Sequence, residues 1–176
     1  LAQVILGGGP STLALVERSL AEIERVGPVL GMLGPGSLVF NHVLALVGMG
    51  RLADAVVRGG RALAEQEVDA GPSTGMLVEL AVVRALVLSG RLDEAVDGAV
   101  EVAERAARQE LANHERWARA LAALDLDGLG DHDRAAVQLR RVDELEPARG
   151  LFRVDIDRAR AHHLAAAGAL GAARAA

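Results

Sequence analysis

The apolar positions of this chain follow a helical rather than an extended spacing. Leu52 and Ala55, and likewise Leu92 and Ala95, stand three residues apart, which places each pair on one face of a helix. Valines are scattered without the alternation that a half-buried strand requires, and the dominant apolar residues, Ala and Leu, have high helix propensity. Glycine and proline divide the pattern into segments. Helices are predicted over Ser11 to Arg25, Ser37 to Met49, Leu52 to Val68, Thr74 to Ser89, Leu92 to Arg108, Glu110 to Leu129, Asp131 to Leu145 and Leu151 to Ala167, with a further start at Ala169. The longest break, marked by Gly27-Pro28, Gly31 and Gly34-Pro35-Gly36, follows the first helix. Gly71-Pro72-Ser73 marks another, and Pro147 stops the helix before it. No sheet is expected.

One phrase punctuates these helices at a fixed interval. Gly50-Arg51-Leu52-Ala53-Asp54-Ala55, Gly90-Arg91-Leu92-Asp93-Glu94-Ala95 and Gly130-Asp131-His132-Asp133-Arg134-Ala135 are 40 residues apart. A weaker copy begins at Gly168, 38 residues on, and a degenerate one, Gly9 to Ala14, precedes the first by 41. The glycine ends one helix in a backbone state that other residues avoid, and the alanine five residues later lets two helices approach closely. The expected fold is therefore all-α, a solenoid of antiparallel helix hairpins with a period of about 40 residues, forming a single helical-repeat domain over residues 1–176. A start at Leu1 without Met, and a last hairpin that stops at Ala176, suggest a piece of a larger protein.

Composition narrows the function more by exclusion than by indication. With 51% hydrophobic but only 2% aromatic residues, the core must be built mainly from Ala, Leu and Val. The formal net charge is −5, with Arg spread singly among acids, so there is no basic stripe to hold a nucleic-acid backbone. There is no Cys, hence no disulfide or thiolate metal site, which suits the cytoplasm. All 19 basic residues are Arg, which removes a Schiff-base or P-loop lysine. The most apolar stretch, Met76 to Ser89, is interrupted by Glu79 and Arg84 and is too short to span a bilayer.

Candidate chemistry is sparse, and no enzyme, cofactor or metal is expected. Gly7-Gly8-Gly9-Pro10-Ser11-Thr12 lacks the Gly-Lys-[Ser/Thr] end of a phosphate cradle and reads as a glycine loop with Ser11 or Thr12 capping a helix. His114-Glu115 begins like a zinc-protease motif, but Ala118 stands where the second histidine must be. His162 and His163 are about 100° apart on a helix and cannot ligate one metal from the same face, so one is expected to pack and the other to be solvated. Glu79, Arg119 and Asp157, each eleven residues before a turn glycine, alternate in sign and suggest an inter-repeat ion-pair ladder.

In spacing, the hairpins resemble tetratricopeptide repeats. The Gly-to-Ala interval matches that family's turn and small packing residue, and Pro147 falls 17 residues after Gly130, where the family often places a proline. The period departs from the family's 34. This lengthened variety, with Gly-Arg-Leu-Asp-Glu-Ala at the turn and Ala-rich helices, resembles the MalT-like helical region of large actinobacterial LuxR-type transcriptional regulators. In those proteins a nucleotide-binding module, a helical-repeat middle and a helix-turn-helix domain act in series. The resemblance implies a regulatory solenoid that contacts a protein or a small effector, with no direct nucleic-acid binding by this segment. The alternative is a general TPR-like scaffold unrelated to transcription.

The resemblance also implies a concave face at positions 13, 10 and 6 before each turn glycine. These are Ser37, Phe40 and Leu44; Leu77, Leu80 and Arg84; Trp117, Ala120 and Leu124; and Asp155, Arg158 and His162. Phe40, Leu80, Arg84, Trp117, Arg158 and His162 are the candidate interaction surface. A bare apolar groove would be covered by other parts of a parent chain, by a second copy in a homodimer, or by a ligand. Ordinary core packing of the same residues is the competing reading.

Overall fold

The computed structural model describes residues 35–65, 72–145 and 152–174, together with 10, 11, 13–15, 17, 18 and 21. All of the described positions between 10 and 21 are helical, and no strand occurs among the described residues. The helices are α1 (Pro35–Gly48), α2 (Leu52–Ala64), α3 (Pro72–Leu88), α4 (Leu92–Arg108), α5 (Ala112–Gly128), α6 (His132–Glu144), α7 (Arg153–Ala166) and the short α8 (Leu170–Ala173). The protein is all-α, as the apolar spacing predicts. The glycine loop at residues 7–9 and Pro147 lie outside the described residues.

The turn glycines behave as the repeated phrase requires. Gly50, Gly90, Gly130 and Gly168 all have positive φ, between +72° and +81°. At three of them the hydrogen bonds are those of a Schellman turn: Gly50 N–H donates to Val47 O and Arg51 N–H to Leu46 O, and the same pair of bonds recurs at Gly130-Asp131 and Gly168-Ala169. The following alanines, Ala55, Ala95 and Ala135, are completely buried. The charged letters of the phrase also have a role. Arg51 reaches Asp54 at 2.7 Å, Arg91 reaches Glu94 at 2.6 Å, and in the third copy the order reverses, with Arg134 donating to Asp131 at 3.3 Å. Each pair ties the turn to the first turn of the next helix on the exposed surface.

The break expected between Arg108 and Glu110 has the same geometry without a glycine. Residues Gln109 to Leu111 connect α4 to α5 with the same pair of Schellman bonds, and the residue in the left-handed state is Glu110, at φ +56°. The helix expected to begin at Glu110 therefore begins at Ala112.

The chain divides into two compact units, Leu1–Ser89 and Gly90–Ala176. In the first, α1, α2 and α3 pack on one another. Gly59 sits where α2 meets its neighbours, and a Cβ there would lie 2.2 Å from Val82 Cγ2. In the second, α5 is the hub and packs against α4, α6 and α7. Val96, Ala120, Ala123, Leu126, Ala135, Leu139, Val142, Ile156 and Ala159 form one buried cluster there. No helix among the described residues is long and apolar enough to cross a membrane.

Candidate functional site

The second unit carries an unusual load of buried polar side chains on the hub helix. Glu115, Arg116, Asp125 and Asp127 of α5, with Asp155 of α7, are all buried. Burying a charge is costly unless it is paired, so each should have an identifiable partner. Glu115 receives Arg119 at 2.8 Å and Arg141 of α6 at 3.1 Å, and Arg119 also donates to Gln138 at 2.9 Å. Asp155 accepts the indole N–H of Trp117 at 3.0 Å, and the Trp117 ring stacks on Phe152 with centroids 4.0 Å apart. Arg116 donates to the carbonyl of Leu145 at 2.7 Å, which caps the C-terminal end of α6.

Asp127 gathers imidazoles from two helices. Nδ1 of His132, the first residue of α6, lies 2.8 Å from Oδ1, and Nδ1 of His163 on α7 lies 3.1 Å from both oxygens. His162 stands further off, at 3.9 Å, with nearly half of its side chain exposed. The adjacent histidines thus divide as the helical angle requires, one packed and one solvated. Nδ1 of both His132 and His163 is engaged with the carboxylate. Among the described residues, no group of three or more His, Cys, Asp or Glu side chains is arranged to hold a metal ion.

Asp125 is the exception. It is wholly buried, neither carboxylate oxygen has a hydrogen-bond partner, and burial pushes its pKa up to about 7.

Beside this polar core the surface opens between α6 and α7. A cavity of about 420 Å³ is walled by Arg116, Arg153 and Arg160 against Asp143 and Asp157, with Leu145 and Ile156 supplying carbon surface. Arg160 is ion-paired with Asp143 and lies 3.6 Å from Asp157, while Arg153 reaches Asp157 at 3.3 Å. Burial and the neighbouring Arg160 guanidinium lower the pKa of Arg116, against a smaller opposing effect of Asp143. A second hollow of about 310 Å³ adjoins it, sharing Asp143 and Arg160 and lined by Ala136, Leu139 and Leu164 with Arg140 and His163. The arrangement places guanidinium groups beside an apolar trough.

The residues singled out by the concave-face reading fare unequally. Phe40, Leu80 and Trp117 are buried, Leu80 and Trp117 completely. They are core residues, and the apolar groove expected from them is not open at these positions. This is the ordinary packing that the sequence left as the competing reading. Arg84 is half-buried, whereas Arg158 and His162 are exposed on α7. The ladder is not formed between Arg119 and Asp157, because Arg119 is engaged by Glu115 and Gln138, and Asp157 by Arg153 and Arg160. Sequence reasoning missed Arg116, Asp143, Arg153 and Arg160. They come from three helices at spacings that share no period, and only the fold brings them together.

No protein-family model, no curated protein and no solved structure matches the chain.

Proposed function

We propose that this chain is a TPR-like helical-repeat module whose task is to bind a protein or a small effector, as the regulatory middle segment of a cytoplasmic LuxR-type transcriptional regulator does. The observation that carries the reading is the recurrence of left-handed glycines at 50, 90, 130 and 168, in phase with the Gly-Arg-Leu-Asp-Glu-Ala phrase. Repeat modules with such turns stack hairpins and present surfaces for recognition. The cavity between α6 and α7 supports a binding role, since pockets of a few hundred Å³ with a few convergent polar groups accommodate small ligands.

The module itself neither hydrolyses ATP nor reads DNA. Net negative charge opposes the counterion-release term that dominates non-specific DNA affinity. Titration of the purified chain with labelled duplex at low and moderate salt should show no appreciable binding, and incubation with ATP no hydrolysis. Tight duplex binding with a steep salt slope would overturn the reading. The flanking reading frame separates the regulator from the scaffold: a helix-turn-helix pattern downstream supports the first, and further repeats alone support the second.

A further inference from the structure

The cavity between α6 and α7 concentrates positive charge in an acidic chain. Arg116, Arg153 and Arg160 face it with only Asp143 and Asp157 as counter-charges, whereas the chain as a whole is at −5. Arg116 is almost fully buried, and the guanidinium of Arg160 acts on it as a like charge. Two cations sharing one hollow lower the cost of bringing in an anion, and a planar guanidinium fork matches a carboxylate bidentately. Immediately beyond the Asp143–Arg160 pair the character of the surface changes. Ala136, Leu139 and Leu164 line a trough contiguous with the charged cavity. Leu139 belongs to the buried cluster that holds α5, α6 and α7 together, so the trough has a rigid floor.

We propose that this paired cavity is a binding site for a small amphipathic carboxylate, with the head group held by Arg116, Arg153 and Arg160 and an aliphatic body lying along Leu139 and Leu164. The proposal rests on the effector-binding reading above and names the chemical class of the effector. The Asp143–Arg160 ion pair marks the point where the head ends and the body begins. A ligand with only one of the two parts fills only one of the two hollows. The free energy of the head comes from charge-assisted hydrogen bonds, and that of the body from apolar area removed from water.

The test is calorimetric titration of the full chain with butyrate, hexanoate and octanoate, and with 1-octanol. Affinity should rise several-fold along the carboxylate series, and 1-octanol, which has the body without the charge, should bind at least about tenfold more weakly than octanoate. Arg160→Gln should weaken octanoate by about tenfold and Arg153→Gln, at an exposed side chain that the fold does not depend on, by a smaller factor. Arg61→Gln on α2 of the first unit should leave binding unchanged. Circular dichroism confirms that each variant is folded. Absence of octanoate binding, equal binding of 1-octanol, or full affinity in both Arg160→Gln and Arg153→Gln would each overturn the proposal. If octanoate fails while the chain also ignores DNA, the carboxylate is wrong and the module reading stands. If duplex DNA binds tightly, the module reading itself falls.

Discussion

The two units use the same turn but finish their helices with different chemistry. In the first unit the residues five and three before the turn glycine are Ala45 and Val47 on α1, and Ala85 and Val87 on α3. In the second they are Asp125 and Asp127 on α5, and His163 and Ala165 on α7. Ala45, Ala85 and Asp125 are all completely buried, so the carboxylate occupies a place where the first unit puts a methyl group. Among the described residues, Asn41 is the one polar side chain buried to this degree in the first unit, against five in the second. The backbone does not require this polarity, because the first unit closes the same turn without it. Four of the five polar side chains have partners on a neighbouring helix or at its end, and one of these links, from Arg116 to Leu145, borders the cavity between α6 and α7. The fifth, Asp125, is a local destabilisation that the rest of the unit has to offset.

This contrast can be broken at specific positions. The largest effect is expected at Trp117, which combines complete burial, a stack on Phe152 and a hydrogen bond to Asp155. Trp117→Ala should cost the second unit about 3–5 kcal/mol in urea unfolding followed by circular dichroism. Leu77→Ala, at the equivalent repeat position of the first unit and only half-buried, should cost clearly less. Equal losses would mean that the aromatic cluster contributes nothing particular to its unit.

Gly59 sharpens the comparison from the other side, since the first unit depends on close apolar contact. A Cβ at Gly59 would meet the stiff side chain of Val82 at 2.2 Å, so Gly59→Ala should destabilise by about 1–3 kcal/mol. The neighbouring Gly60 has nothing within 4 Å of an added Cβ, and Gly60→Ala should raise stability by up to about 1 kcal/mol through helix propensity. Thermal unfolding of the two variants side by side decides it. Similar midpoints would remove the claim of a tight approach at Gly59.

A smaller gain is expected at Glu110, the one described non-glycine residue with positive φ. Glu110→Gly should stabilise the α4–α5 turn by about 1 kcal/mol in denaturant titration. A loss instead would show that the Glu110 side chain contributes more than its backbone strain costs.

These positions also show what could be read without coordinates. The helices and four of the turns were legible because glycine, proline and a three-residue apolar spacing have strong local causes. The break between α4 and α5 was legible too, but its left-handed residue at 110 was not, because no glycine marks it. The signal available was arithmetic: residue 110 lies midway between Gly90 and Gly130, so each helix with its turn occupies half the 40-residue period. That one of His162 and His163 packs and the other is solvated followed from the helical angle, but which is which did not. The burial of Phe40, Leu80 and Trp117 did not, since groove positions borrowed from a 34-residue repeat need not face outward at a period of 40. The Arg116–Arg160–Asp143 cluster was beyond reach, because its members converge only after α5, α6 and α7 have packed.

Asp125 tests the central claim, that the second unit accepts a buried carboxyl where the first keeps a methyl group. Its carboxyl is held near pH 7 in the folded chain, whereas the ordinary value is 3.8. A folded-state pKa raised in this way favours the protonated form, so its stability is greatest in acid and is lost as pH rises through the folded value. The decisive measurement is urea unfolding of the wild type and Asp125→Ala between pH 5 and 8. The fluorescence of Trp117, the only tryptophan in the chain, confines the readout to the second unit. The advantage of the alanine variant should grow by about 1.4 kcal/mol per pH unit towards pH 7 and level off above it. A difference that stays constant across the range, or a variant less stable than the wild type at pH 8, would contradict the account.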